Sequence, residues 1–164
     1  ISKYISYLRE NVSFLSDTIK NNITLYRDNT DFEIYNAINL AKIDIAIERE
    51  IGDEARGISS GEKRRIEIAR SLLNSPDVLI FDEVVSTLDI ETAYEIEELA
   101  LSLINKTIIF ISHNFSGKLL TKYDSILVMS EGKLIEQGNY SYLIKNNYYF
   151  RKICEIKGIA PLAC

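Results

Sequence analysis

The sequence predicts an α/β fold in which a mostly parallel sheet joins a mainly helical subdomain. Val78–Phe81 and Thr107–Ile111 are continuous apolar runs rich in β-branched residues, the pattern of strands buried on both faces of a parallel sheet. Between them, Asp89 precedes Ala93, Ile96, Ala100 and Leu103 at helical spacing. Strand, helix and strand in that order form a βαβ unit with a right-handed crossover. By contrast, the stretch up to Asn74 reads as mostly helical.

In chain order, Lys3–Leu8, rich in Tyr and Ile, predicts a first strand. Asp17-Thr18 caps a short helix through Ile23, and Asp31 caps a longer one with Ile34, Ala37, Ile38 and Ala41 on one face. Gly52 and Gly57 bracket a loop. A basic helix follows, with Ile66, Ala69, Leu72 and Leu73 turned inward. Beyond the βαβ unit, Ser125–Met129 and Lys133–Gln137 flank Glu131-Gly132 as a hairpin, and Tyr140–Lys157 closes the chain as helix.

The 164 residues suffice for one domain, and 46% apolar with 26% charged residues is ordinary for a soluble globular chain. A net charge of −5 argues against a nucleic-acid or anionic-membrane binder. No apolar run approaches the ~20 residues of a membrane span, and Ile1 opens no signal peptide, so the stretch is expected to be soluble by itself. Cys154 and Cys164 lack His or Cys neighbours at metal spacing, which predicts free thiols in a reducing compartment, with a disulfide between them as the alternative.

Two short segments carry the chemistry. Val78–Phe81 ends in Asp82-Glu83, and ligands of open α/β sheets gather beyond the carboxyl ends of strands. One carboxylate there can hold Mg²⁺ through its water shell while the next polarises an attacking water. Taken alone, the pair is better explained by a solvated loop start. Ser59-Ser60-Gly61 opens the basic helix, whose free N–H groups and positive end favour a phosphate. The serine adds a donor, and Gly61 lets backbone approach closely. An ordinary Ser-capped surface helix is the alternative, with Lys63, Arg64, Arg65 and Arg70 as its solvated face and Lys63–Glu67 as an i,i+4 pair. His113, the single histidine, follows a strand and so emerges at the same end of the sheet as Asp82 and Glu83. There it can bond a terminal phosphate and orient water.

Together these residues resemble the ATP-binding cassette (ABC) ATPases. Ile58–Arg70 resembles their "LSGGQ…R" signature helix, Val78–Glu83 the Walker B strand, Ser86-Thr87-Leu88-Asp89 the D-loop and Ser112-His113 the H-loop. Ser16–Ile23 resembles the "SGTIRENI" segment of exporter-type cassettes, and Ile51–Glu54 their X-loop. The resemblance implies a partial, mostly parallel sheet of a P-loop NTPase core with an α-helical signature subdomain. It implies ATP and Mg²⁺ as cofactors, Glu83 as general base, Asp82 as Mg²⁺ partner through water and His113 as γ-phosphate switch. Ser59, Ser60, Gly61 and Glu62 would meet ATP held by an opposite subunit, and Ser86 and Asp89 would help form that composite site. The partners implied are a second nucleotide-binding domain, a homodimer in the simplest case, and transmembrane domains of the same transporter. The place implied is the cytoplasmic face of the cell membrane.

Ser60 and Glu62 stand where the family has glycine and glutamine, and Glu10 stands at the Q-loop glutamine position, where it could also meet Mg²⁺. The P-loop motif G-x-x-x-x-G-K-[ST] is absent; Gly52…Gly57 has that glycine spacing, but Ile58 replaces the lysine. Family order puts the P-loop before residue 1. The chain is therefore expected to be the C-terminal part of one nucleotide-binding domain, with 12–74 as Q-loop region and helical subdomain and 75–164 as the Walker B and H-loop half. Alone, that part is expected to be inactive and to self-associate through an uncovered apolar face. The alternatives are a non-transporter ABC ATPase of the DNA-maintenance type and a non-catalytic cassette-like interaction module.

Overall fold

A computed structural model describes residues 4–10, 13–52 and 56–159. It divides into two compact units, Ile1–Asn114 and Phe115–Cys164.

The first unit is organised by a three-stranded sheet in the order β1 (Ile5–Leu8), β4 (Val78–Asp82), β5 (Thr107–Ile111). Both pairings are parallel, with Leu8 beside Phe81 and Asp82 beside Ile111. Because side chains alternate along a strand, Leu8, Leu79 and Phe81 fall on one face and are fully buried. Phe81 stacks on Phe110 at 5.2 Å between ring centroids. The opposite face carries Ile5, Tyr7, Ile109 and Ile111, all exposed, the last two at 43% and 47%. The expectation that Thr107–Ile111 is buried on both faces is thus corrected: apolar composition makes a strand, but only covering elements bury it.

The helices pack on the closed face. Thr18 caps α1 (Ile19–Thr24) by accepting the Asn21 N–H. The cap of α2 (Asp31–Leu40) is Thr30, in a reciprocal capping box with Glu33; the expected cap, Asp31, is the first helical residue. Ile34, Ala37, Ile38 and Ala41 are buried as predicted. The short strands β2 (Asp17–Thr18) and β3 (Glu50–Ile51) pair antiparallel beneath α1. The longest helix, α3 (Ser60–Leu72), buries Ile66, Ala69, Leu72 and Leu73. Asp89 caps α4 (Ile90–Leu101), which completes the β4–α4–β5 unit and buries Ile96, Ala100 and Leu103.

In the second unit, a 3₁₀ turn (Gly117–Lys122) precedes the hairpin of β6 (Ile126–Ser130) and β7 (Lys133–Gly138). Ser130 pairs with Lys133, so Glu131-Gly132 is a two-residue loop. Their φ values of 48° and 73° are the left-handed pair that a type I′ turn requires. The closing helix is two helices, α5 (Tyr140–Asn146) and α6 (Tyr148–Ile156), broken at Asn147 with φ −119° and ψ 129°. The break is held from a distance: the Glu136 carboxylate accepts the N–H groups of Tyr149 (2.9 Å) and Phe150 (2.8 Å), capping α6. Leu120, Val128, Tyr140, Leu143, Phe150 and Cys154 form the core of this unit. Cys154 is a free, buried thiol, pushed up from its ordinary range by burial. Cys164 lies outside the described residues, as does the predicted X-loop pair Asp53-Glu54. Among the described residues, no helix is long and apolar enough to cross a membrane.

Candidate functional site

At the carboxyl end of the sheet, the chain turns sharply after Asp82. Glu83 sits in the left-handed region at φ 52°, and its N–H donates to Ile111 O (2.9 Å), extending the β4–β5 ladder by one bond. Such a backbone conformation is sparsely populated for residues other than glycine and costs roughly 1–2 kcal/mol. It aims the side chain across to the neighbouring strand tip. Glu83 Oε1 accepts from the backbone N–H of His113 (3.0 Å) and lies 2.8 Å from its Nδ1. Glu83 Oε2 is buried and has no hydrogen-bond partner. Ser86 Oγ donates back to Glu83 O (2.8 Å), fixing the turn that follows. Asp82 lies on the open face of the sheet, where the Tyr7 hydroxyl donates to Oδ2. That bond raises the Tyr7 phenol above its ordinary range, and Arg9 stands 5.2 Å over the Tyr7 ring.

The turn at the start of α3 has the Ser cap that the sequence offered as one reading. Ser59 is the N-cap, its hydroxyl accepting the Glu62 N–H (3.2 Å) while Glu62 Oε2 accepts the Ser59 N–H (2.6 Å). The S-x-x-E spacing is a capping box. Glu62 is thus engaged with the helix end, and the Ser59 N–H bond lowers its carboxyl below the usual range. Ser59 and Ser60 are exposed, but Gly61 is buried. A Cβ at Gly61 would stand 2.8 Å from Thr92 Cγ2, so the glycine permits α3 to approach α4. Asp89 Oδ1 accepts the Thr92 N–H (3.0 Å), and this bond lowers the Asp89 carboxyl.

The basic face of α3 also needs correction. Arg64 is buried at 6% and pairs at 2.9 Å with Glu67, which was expected to meet Lys63. Burial raises the Glu67 carboxyl, with Arg64 pulling the other way. Arg65 reaches Glu95 across to α4 at 2.7 Å. Arg70 is half-buried and donates to Asn22 O (2.8 Å) and Ser13 O (3.3 Å).

The structure therefore brings Glu83 and His113 into direct contact and puts Asp82 beside them on adjoining strands. Glu10 follows β1 as Glu83 follows β4, so both leave the same end of the sheet, with the Glu10 side chain exposed. Among the described residues, no hydrogen bond joins Ser59, Ser60, Gly61 or Glu62 to Asp82, Glu83 or His113. Tyr7, Arg64 and Glu67 are contacts that reading the residues missed. Strand alternation carried a signal for Tyr7, which shares a face with Asp82. Nothing local distinguished Arg64 from the three other cations on its helix.

A parallel β4–β5 pair with an acidic tip, a histidine at the next tip and a capped basic helix share the layout of the ATP-binding cassette fold. Residues 1–86 match the family model described as ABC transporter, and the chain belongs to that family. It is 34% identical over 165 residues to the glutathione/L-cysteine transport system ATP-binding/permease protein CydC of Haemophilus influenzae, covering 92% of this chain and 28% of that protein. It is 33% identical over 167 residues to the ATP-dependent lipid A-core flippase of Aliivibrio fischeri, covering 96% and 28%. A solved bacterial Atm1-family ABC exporter with ATP bound superposes with a TM-score of 0.79 at 28% identity, over 97% of this chain and 29% of that one. The chain thus spans about 28% of the length of these curated relatives.

Proposed function

We propose that this chain is the C-terminal part of the nucleotide-binding domain of an ABC exporter, with 12–74 as its Q-loop region and helical subdomain and 75–164 as its Walker B and H-loop half. The whole protein would hydrolyse ATP to drive export by transmembrane domains at the cytoplasmic face of a membrane. The observation that carries this reading is the 2.8 Å contact between Glu83 and His113 at neighbouring strand tips. In it, His113 holds the Glu83 carboxylate at the strand tip, from where the carboxylate would accept a proton from an attacking water. His113, with its side chain 76% exposed, is free to reach a terminal phosphate.

Asp82 and Glu83 present carboxylate oxygens, the donors Mg²⁺ prefers, and the orphaned Glu83 Oε2 is a polar atom such an ion's water would satisfy. Mg²⁺ is commonly held by one or two carboxylates together with waters and substrate phosphates. Asp82, and Glu10 from the β1 side, would hold it, and it would supply charge neutralisation at the phosphates. Ser59, Ser60, Gly61 and Glu62 would meet nucleotide on a second copy, and Ser86 and Asp89 would help form that composite site. In the full-length protein, Glu83→Gln should abolish ATP hydrolysis while leaving ATP-dependent pairing of the domains intact, as followed by sedimentation. Normal turnover in that variant would remove Glu83 from the role of base.

A further inference from the structure

We infer that Arg64 and Glu67 are positioning residues, which lock the backbone of Arg9 and Glu10 to the signature helix; the inference rests on the reading of Glu10 as the Q-loop residue. Two charges at adjacent turns of one helix face are both withdrawn from water at 6% exposure. Burying an ion pair carries a desolvation cost that hydrophobic side chains of similar size would avoid. What the pair does beyond its own 2.9 Å contact is specific. Arg64 Nη1 donates to Arg9 O (2.7 Å), Arg64 Nη2 donates to Glu10 O, and Glu67 Oε1 accepts the Arg9 N–H (3.3 Å). The grip is on main-chain atoms, so the Glu10 carboxylate stays in solvent, uncommitted.

Two turns along the same helix, Arg70 holds Ser13 O and stands 5.4 Å over the Phe14 ring. The residues leaving β1 are therefore tied at 9–10 and again at 13–14 to α3. The helix begins at Ser59–Gly61, only about 6 Å along its axis from Arg64 at 1.5 Å per residue. The serine-glycine turn and the Glu10 backbone thus belong to one rigid piece. Displacing one displaces the other, and Glu10 reaches its place at the sheet end only if the clamp is closed. Lysine cannot replace Arg64, because one ammonium group lacks the fork that reaches two successive carbonyls.

The test uses the full-length protein with the double variant Arg64→Met/Glu67→Leu, which removes both charges while preserving volume, and with Arg64→Lys. Amide exchange at Arg9, ATP turnover and the melting temperature are measured together. The expected result is a retained melting temperature, exchange at Arg9 faster by about tenfold, and kcat lower by about tenfold with KM for ATP within about twofold, the mark of lost positioning. Arg64→Lys should fall between the double variant and wild type. Unchanged exchange at Arg9 overturns the clamp, and fast exchange with unchanged kcat overturns its positioning role. Absence of turnover in the wild type would sink the proposed ATPase instead, and the exchange measurement would still decide the clamp.

Discussion

Gly61 separates two explanations that ordinarily travel together. As the signature glycine it is expected to let backbone approach a phosphate, yet in the fold its missing side chain lets α3 approach α4. Gly61→Ala would place a Cβ 2.8 Å from Thr92 Cγ2, where carbon atoms in contact prefer about 3.5–4.0 Å. Roughly 1 Å must be found between two packed helix ends, and Thr92, branched at Cβ, has few rotamers with which to yield. Overpacking of this kind costs about 1–3 kcal/mol. Alanine recovers up to about 1 kcal/mol through helix propensity, less near a helix start. The net expectation is a loss of about 1 kcal/mol, which for a chain of this size lowers the melting temperature by about 2–4 °C. Thr92→Ser removes the opposing methyl and costs about 0.8 kcal/mol alone. In the double variant the clash is gone while the propensity gain remains, so urea unfolding should give a coupling equal to the whole overpacking cost, about 1–3 kcal/mol, between the two sites. If Gly61→Ala raises stability by its helix propensity, or the cycle closes without coupling, the packing account of Gly61 is wrong. The same cycle bears on function: activity restored by Thr92→Ser in a Gly61→Ala background would trace the loss to helix spacing and not to a phosphate contact.

Glu136→Ala should unfasten α6 by releasing the amides of Tyr149 and Phe150, at a cost of about 1–2 kcal/mol in urea unfolding and with loss of helical circular dichroism; Glu136→Gln, keeping one acceptor, should cost less. Hydrogen bonds from backbone amides hold the carboxyls of Glu33, Glu62 and Asp89 below their ordinary range. A folded-state pKa below the unfolded one contributes stability present above the unfolded value and lost as pH falls through the folded one. Stability should therefore decline below about pH 4, and Asp89→Asn, which keeps an acceptor oxygen, should flatten that decline in acid titrations of unfolding. Turnover unaffected by Glu83→Gln in the full-length protein would contradict the role given to that carboxylate.

What the sequence disclosed follows the range of the forces involved. Helix starts were legible because capping is local: Ser59, Thr18 and Asp89 all cap as their spacing indicates. The displacement of the α2 cap by one residue, from Asp31 to Thr30, reflects two adjacent residues that both cap well. The break between α5 and α6 was hidden because Tyr140–Lys157 continues in apolar helical spacing, while the carboxylate that caps α6 comes from β7. Strand β5 was legible as a strand, but its half-open environment depends on what lies over it, which periodicity does not encode. In the site, the places of Glu83 and His113 after two neighbouring parallel strands foretold their contact, whereas Asp82 bonds Tyr7 on the open face. The sorting of the three arginines on α3 into a buried clamp, a pair across to α4 and a half-buried anchor did not follow from spacing, because the Arg9, Glu10, Ser13, Asn22 and Glu95 groups they also reach come from elsewhere in the chain. The part of Glu62 in the capping box is local, an S-x-x-E spacing that the sequence carries.

The sheet offers one packed side and one side open to water, and this asymmetry governs how the molecule behaves in bulk. Ile5, Ile109 and Ile111 share the open side with Val78, Ile80, Tyr7, Asp82 and Thr107, so much of that side is apolar surface facing solvent. Anything that slides over it, whether another stretch of polypeptide or a dye, gains favourable contact without any refolding. Wherever a second apolar surface covers that side, the side chains leaving water would contribute roughly 25 cal/mol for each Å² buried.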